Sequence, residues 1–136
     1  VAQLGDFTKN AVALSLEAGL PRPVRVVILG VVSGPAFYST GSWLPHAGEE
    51  EQFLEAWKEF SRWAVALPGG AGEAVLVRDL REPDRFVSFL PWESLEAIQS
   101  WKAHREFKQR MSLVQDHVDT FAPTETEVVA RVSAAA

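Results

Sequence analysis

The chain has 136 residues, 47% apolar and 23% charged, with a formal charge of −5 and no cysteine. That composition fits one soluble globular domain and excludes disulfides, thiolate catalysis and cysteine-ligated metals. A mildly acidic surface disfavours polyanions, and no run reaches the ~20 apolar residues of a membrane span, so neither nucleic acid nor membrane is an expected partner and the cytoplasm is the default location.

Residues 1–34 differ in character from the rest. They carry few charges, a helical hint over Asn10 to Ala18 stopped by Gly19 and Pro21, and a β-branched run over Val24 to Val32. We read them as an N-terminal extension to a main domain spanning 35–132, with 133–136 as a tail. The domain opens with a strand over Ala36 to Leu44, which holds Phe37, Tyr38 and Trp43. Glu49-Glu-Glu51 then places negative charge at the start of a helix, as the macrodipole favours. Phe53, Trp57, Phe60 and Ala64 recur at helical spacing and form one apolar stripe, with Trp63 off it. Leu67-Pro-Gly-Gly-Ala-Gly72 ends this helix.

Glu73 to Leu80 and Arg85 to Trp92 read as two strands joined by the turn Arg81-Glu-Pro-Asp84. The second strand is apolar on both faces: Phe86, Leu90 and Trp92 on one, Val87 and Phe89 on the other. Helices can cover one face. The chain holds no further layer for the other, so a partner subunit is expected to cover it. Ser94 is a suitable N-cap for a helix that turns Leu95, Ile98 and Trp101 inward. A second helical stretch is expected from about His104 to Val118, a break at Thr120 to Pro123, and a last strand over Thr124 to Val132. The order strand, helix, strand, strand, helix, helix, strand is that of an α+β, ferredoxin-like split βαβ fold.

Standard catalytic signatures are missing. Gly69-Gly-Ala-Gly72 lacks the Lys-Ser/Thr ending of a P-loop, no HExxH occurs, and no serine sits in a nucleophile elbow. His46, His104 and His117 are far apart without ligand spacing, so no metal is expected.

The segment Pro91 to Lys108, PWESLEAIQSWKAHREFK, is the most distinctive. A strand ending in Trp92-Glu-Ser turns into a helix carrying Trp101, with His104 a turn later. This segment and the element order resemble the antibiotic biosynthesis monooxygenase family over about Pro35 to Val132. The resemblance implies a dimeric α+β barrel and hence a homodimer. It also implies cofactor-free oxidation of a small aromatic or quinol-like compound, in which the substrate itself activates dioxygen. It places Trp101 on the pocket wall and Trp92 between strand and helix. His104 is similar to the histidine of a WRxHPEH-like stretch, with Arg105 and Phe107 replacing its proline and second histidine. His104 and Tyr38 are thus the expected catalytic residues: an imidazole suits proton transfer near neutral pH, and the only phenol can orient a phenolic substrate. Trp101, Trp92, Trp43 and Arg78 are the expected substrate-binding residues. The alternative is a non-catalytic small-molecule binding or interaction domain of the same fold. Haem degradation is a third reading. Trp101 matches that branch, but Gly41 and Met111 stand where its asparagine and axial histidine belong, so no cofactor is expected.

Overall fold

The computed structural model describes residues 34–134. The extension expected over residues 1–34 therefore lies outside the described residues, except for Gly34. A compact unit begins at Pro35. Its elements are β1 (Phe37–Pro45), α1 (Glu50–Val65), β2 (Val75–Arg78), β3 (Phe86–Trp92), α2 (Leu95–Ala103), α3 (Phe107–Gln115) and β4 (Val118–Glu127). The four strands form one antiparallel sheet in the order β2-β3-β1-β4. This is the α+β, ferredoxin-like order the sequence predicts.

Strand alternation divides the sheet into two unlike faces. Ser39, Gly41 and Trp43 of β1 lie opposite Leu90, Ser88 and Phe86 of β3, and all share the inner face. The stripe of α1 packs on it, and Phe53, Trp57, Phe60 and Ala64 are all buried there. Ile98 and Trp101 of α2 and Met111 and Val114 of α3 complete the same core. The outer face presents Tyr38, Thr40 and Ser42 of β1, Pro91, Phe89 and Val87 of β3, and Val75 and Val77 of β2. The loop after α1 covers Pro91, but Val75 and Val77 stay 40% and 42% exposed, and no helix or strand among the described residues covers them.

Local chemistry sets the boundaries near the site. Gly69 takes φ +94°, a left-handed conformation open to glycine, and a Cβ there would fall 2.5 Å from that of Ala97. The loop after α1 can therefore pass directly over the start of α2. Ser94 caps α2, its Oγ accepting the Ala97 N–H at 3.0 Å. His104 ends α2 in an extended conformation, so residues 104–106 form a turn and α3 begins at Phe107.

The C-terminal part corrects the sequence reading. The expected strand over Thr124 to Val132 instead runs Val118–Glu127, and α3 stops at Gln115. Thr120 to Pro123, expected as a break, is strand. The strand lies at the sheet edge and pairs only with β1, so Pro123 costs no ladder on its free side. Val129 and Val132 are 89% and 96% exposed and belong to no strand.

Polar contacts close the end of the unit where β1, α1, α3 and β4 meet. The His46 N–H donates to the His117 carbonyl at 2.8 Å. The His46 ring pairs with Asp119, and that of His117 with Glu49. Among the described residues no cluster of histidine and carboxylate side chains is placed to hold a metal ion. The hydrogen bond that the protonated ring donates to Asp119 raises the His46 pKa above 6.5, partly opposed by desolvation and reinforced by the charges of Asp119 and Glu49. A raised histidine pKa stabilises the fold fully below the unfolded value near 6.5 and loses that contribution as pH climbs through the folded value. Urea midpoints of the parent should therefore fall from below pH 6.5 to above it more steeply than those of Asp119→Asn. Parallel midpoint curves would show that this pair does not couple to folding.

Candidate functional site

A cavity of about 230 Å³ lies between the inner sheet face and the helices. Its floor is Ser39, Trp43, Ser88 and Leu90. Its helical wall is Trp57 and Phe60 of α1, Trp101 of α2, and Phe107 and Met111 of α3. Lys102, Gln115 and Thr124, all exposed, mark its rim, where Lys102 pairs with Glu125. The volume falls below the ~300–1,000 Å³ common for ligand sites, which restricts an occupant to a small molecule.

Aromatic packing fixes the walls. The Trp101 ring lies 4.9 Å from Trp92, 5.8 Å from Phe60 and 5.0 Å from Phe107, edge-on to the last. Trp43 stacks on Phe121 at 3.9 Å and touches Phe53 at 5.4 Å. Offset and edge-on pairs of this kind add ~0.5–1.5 kcal/mol each beyond their burial. Two indole N–H groups are held by serines of the floor. Trp43 Nε1 donates to Ser88 Oγ at 2.9 Å, and Trp92 Nε1 donates to Ser39 Oγ at 3.3 Å. Gly41 makes room for this arrangement. A Cβ there would sit 2.7 Å from the Phe121 ring, 3.1 Å from Ser88 Oγ and 3.1 Å from Trp43 Nε1.

Of the expected site residues, the structure brings Trp101 and Trp43 to the cavity. Trp92 does not line it. It is 1% exposed and supports it from behind, through Trp101 and Ser39. The other three lie elsewhere. Tyr38 is on the outer sheet face, edge-on to Phe89 at 6.3 Å. Arg78 clamps the β2–β3 turn, donating to Glu50 at 2.6 Å and to the Pro83 carbonyl at 2.8 Å, with its guanidinium over Phe86. That contact holds the Glu50 carboxyl below its usual range. His104 Nδ1 accepts the Glu106 N–H at 3.0 Å, and its ring sits edge-on to Trp63. It faces a separate groove beside Leu67, Glu93 and Ala97, and Trp101 lines both that groove and the cavity.

The sequence reading passed over Ser39 and Ser88 and left Trp57 to the core. A signal for the serines exists: each occupies an inner-face position of a strand, where alternation calls for an apolar side chain. The positions tied to haem chemistry offer no fit. Gly41 has no side chain and no room for one, and Met111 places a thioether on an apolar wall where an imidazole would be needed.

The profile of the family named antibiotic biosynthesis monooxygenase matches residues 37–112, more than half of the chain. The chain belongs to that family. Its fold is similar to a variant of SnoaB, a cofactor-independent oxygenase from Streptomyces nogalater, at 13% identity and TM-score 0.64 over 72% of this chain and 97% of that one. It is also similar to a candidate antibiotic biosynthesis monooxygenase from Bordetella bronchiseptica, at 16% identity and TM-score 0.62 over 71% and 99% of the two chains. A third such structure, from Deinococcus radiodurans, matches at 16% identity and TM-score 0.62 over 74% and 99%. At these identities the likeness is one of fold. No curated protein matches the sequence.

Gly41→Ala should destabilise the domain by ~1–3 kcal/mol, because Phe121 and the Trp43–Ser88 bond cannot both keep their places. Thermal melts read this directly, and an unchanged midpoint would mean that the floor repacks freely.

Proposed function

We propose that this chain is a cofactor-independent monooxygenase acting on a small aromatic or quinol-like compound. The observation that carries this reading is the cavity itself: a small apolar chamber walled by tryptophan and phenylalanine, with buried hydroxyls on its floor. A flat ring is held there by dispersion and excluded from bulk water. The fold neighbour described as a cofactor-independent oxygenase supports the same class. In the reaction the ionised ring passes electrons to dioxygen. A ring CH₂ becomes C=O, one oxygen atom enters the product, and the other leaves as water with the two hydrogens. The protein contributes shape, desolvation and hydrogen bonds to the developing oxyanion. Trp101 and Trp43 bind the ring, and Trp92 holds Trp101. His104 and Tyr38 do not line the chamber, and this reading gives neither a direct proton transfer.

One observation favours the non-catalytic binding domain as a second reading. Among the described residues Lys102, at the rim, is the only ionisable side chain that lines the cavity. The two readings separate in an oxygen electrode. Quinols and anthrone-like compounds, added without metal, flavin or haem, should be consumed with one dioxygen per substrate. Binding without oxygen uptake across the panel would move the assignment to the binding domain.

The reading includes a homodimer and a cytoplasmic setting. The outer sheet face supports the dimer. Tyr38, Val87 and Phe89 are only half-buried there, beside the exposed Val75 and Val77, and a second copy of the face covers them symmetrically. Light scattering after size exclusion should give twice the chain mass, and a Val77→Glu, Phe89→Glu double variant should shift it toward one. A parent that runs as a monomer at micromolar concentration would sink the shared-barrel arrangement.

A further inference from the structure

The inner sheet face presents two serines where packing alone would select apolar side chains. Ser39 is 8% exposed and Ser88 is 3% exposed, and both line the cavity. An indole N–H can only donate. Ser88 Oγ accepts one from Trp43 and Ser39 Oγ accepts one from Trp92, so each serine must aim its own hydrogen elsewhere. Among the described residues neither hydroxyl meets an acceptor for that hydrogen. On the helical wall, Trp57 Nε1 and Trp101 Nε1 are buried without a partner. The hydrogens without a partner are thus those of the two serine hydroxyls on the floor and of the two indoles on the helical wall. A ligand that satisfies this chamber must bring acceptors.

We propose that Ser39 and Ser88 determine the specificity of the cavity. Each is polarised by the indole it accepts from, and each donates to an oxygen of an aromatic ligand bearing two carbonyl or phenolate oxygens. The register fits two separate contacts on one ring system. Ser39 pairs with Leu90 and Gly41 with Ser88, so the serines are diagonal neighbours on adjacent strands, ~7–8 Å apart at the backbone. Gly41, opposite Ser88, has no side chain, so the Phe121 ring and the Trp43–Ser88 bond close directly over it beside Ser88. A hydroxyl that already accepts a hydrogen bond donates more strongly, which favours the anionic form of a bound phenol. This deepens the aromatic-ligand reading and rests on it.

Naphthoquinone and naphthalene, nearly equal in shape and differing in two oxygens, test the assignment by calorimetric titration of the parent protein. Naphthoquinone should bind at least about tenfold more tightly. Ser39→Ala and Ser88→Ala should each weaken naphthoquinone about tenfold and leave naphthalene unchanged. Infrared difference spectra supply a readout that a structural role would not move. The carbonyl band of bound quinone should shift to lower frequency in the parent, and one component should return toward its free position in each variant. If a variant fails to fold, having orphaned an indole, the band in the parent decides alone. Equal binding of both ligands with an unshifted band would overturn the serine assignment and leave the aromatic-ligand reading standing. Binding of neither would overturn both.

Discussion

A buried indole takes its N–H out of water, and an unmet donor costs ~1–3 kcal/mol. Four tryptophans, Trp43, Trp57, Trp92 and Trp101, share one core, so this constraint acts four times within a few side chains. On the sheet it is met by the two serines, which makes the floor both satisfied and fixed in position. On the helices it is unmet. The cavity lies where these two surfaces face each other. Local rules tend to fail at functional sites, and here the failure is specific: polar side chains on an apolar sheet face, and donors without acceptors above them.

The second constraint is the thinness of the unit. Four strands and one layer of helices give a sheet with two faces and cover for one. The inner face uses its cover to build the cavity. The outer face keeps Tyr38, Phe89 and the β2 valines near the surface. The two faces thus suit different partners. In the proposed reading, one takes a small ring system and the other a second copy of itself.

Much of this was legible in the sequence, because strong periodicity leaves little freedom. The α1 stripe and the alternation of Phe86 to Trp92 are satisfied by one arrangement each, and the structure adopts both. The failures have physical causes. Pro123 reads as a breaker until the strand is known to lie at an edge, which depends on the whole topology. His104 reads as helical from its neighbours, yet its ring caps the next turn through Glu106 and so ends the helix. Tyr38 was open to correction from the sequence itself. It lies five residues from Trp43 in one strand, and an odd spacing places the two on opposite faces. Ser39 and Ser88 were visible as breaks in the alternation, but their significance needs the indoles above them, which no spacing rule supplies.

The balance of forces in the cavity decides what kind of discrimination it can exercise. Burying apolar area yields ~25 cal/mol per Å², and two rings of similar outline gain nearly the same amount. Shape therefore sets an upper size but separates ring systems of one size weakly, by ~1–3 kcal/mol per methylene. Donors behave differently. Binding a ring without oxygens displaces any water from Ser39 and Ser88 and returns nothing to them, so the desolvation cost falls in full on the wrong ligand. A ring with matching oxygens repairs it at both serines. On the proposed assignment, the aromatic walls supply affinity for ring systems in general, and the two hydroxyls on the sheet supply the choice among them.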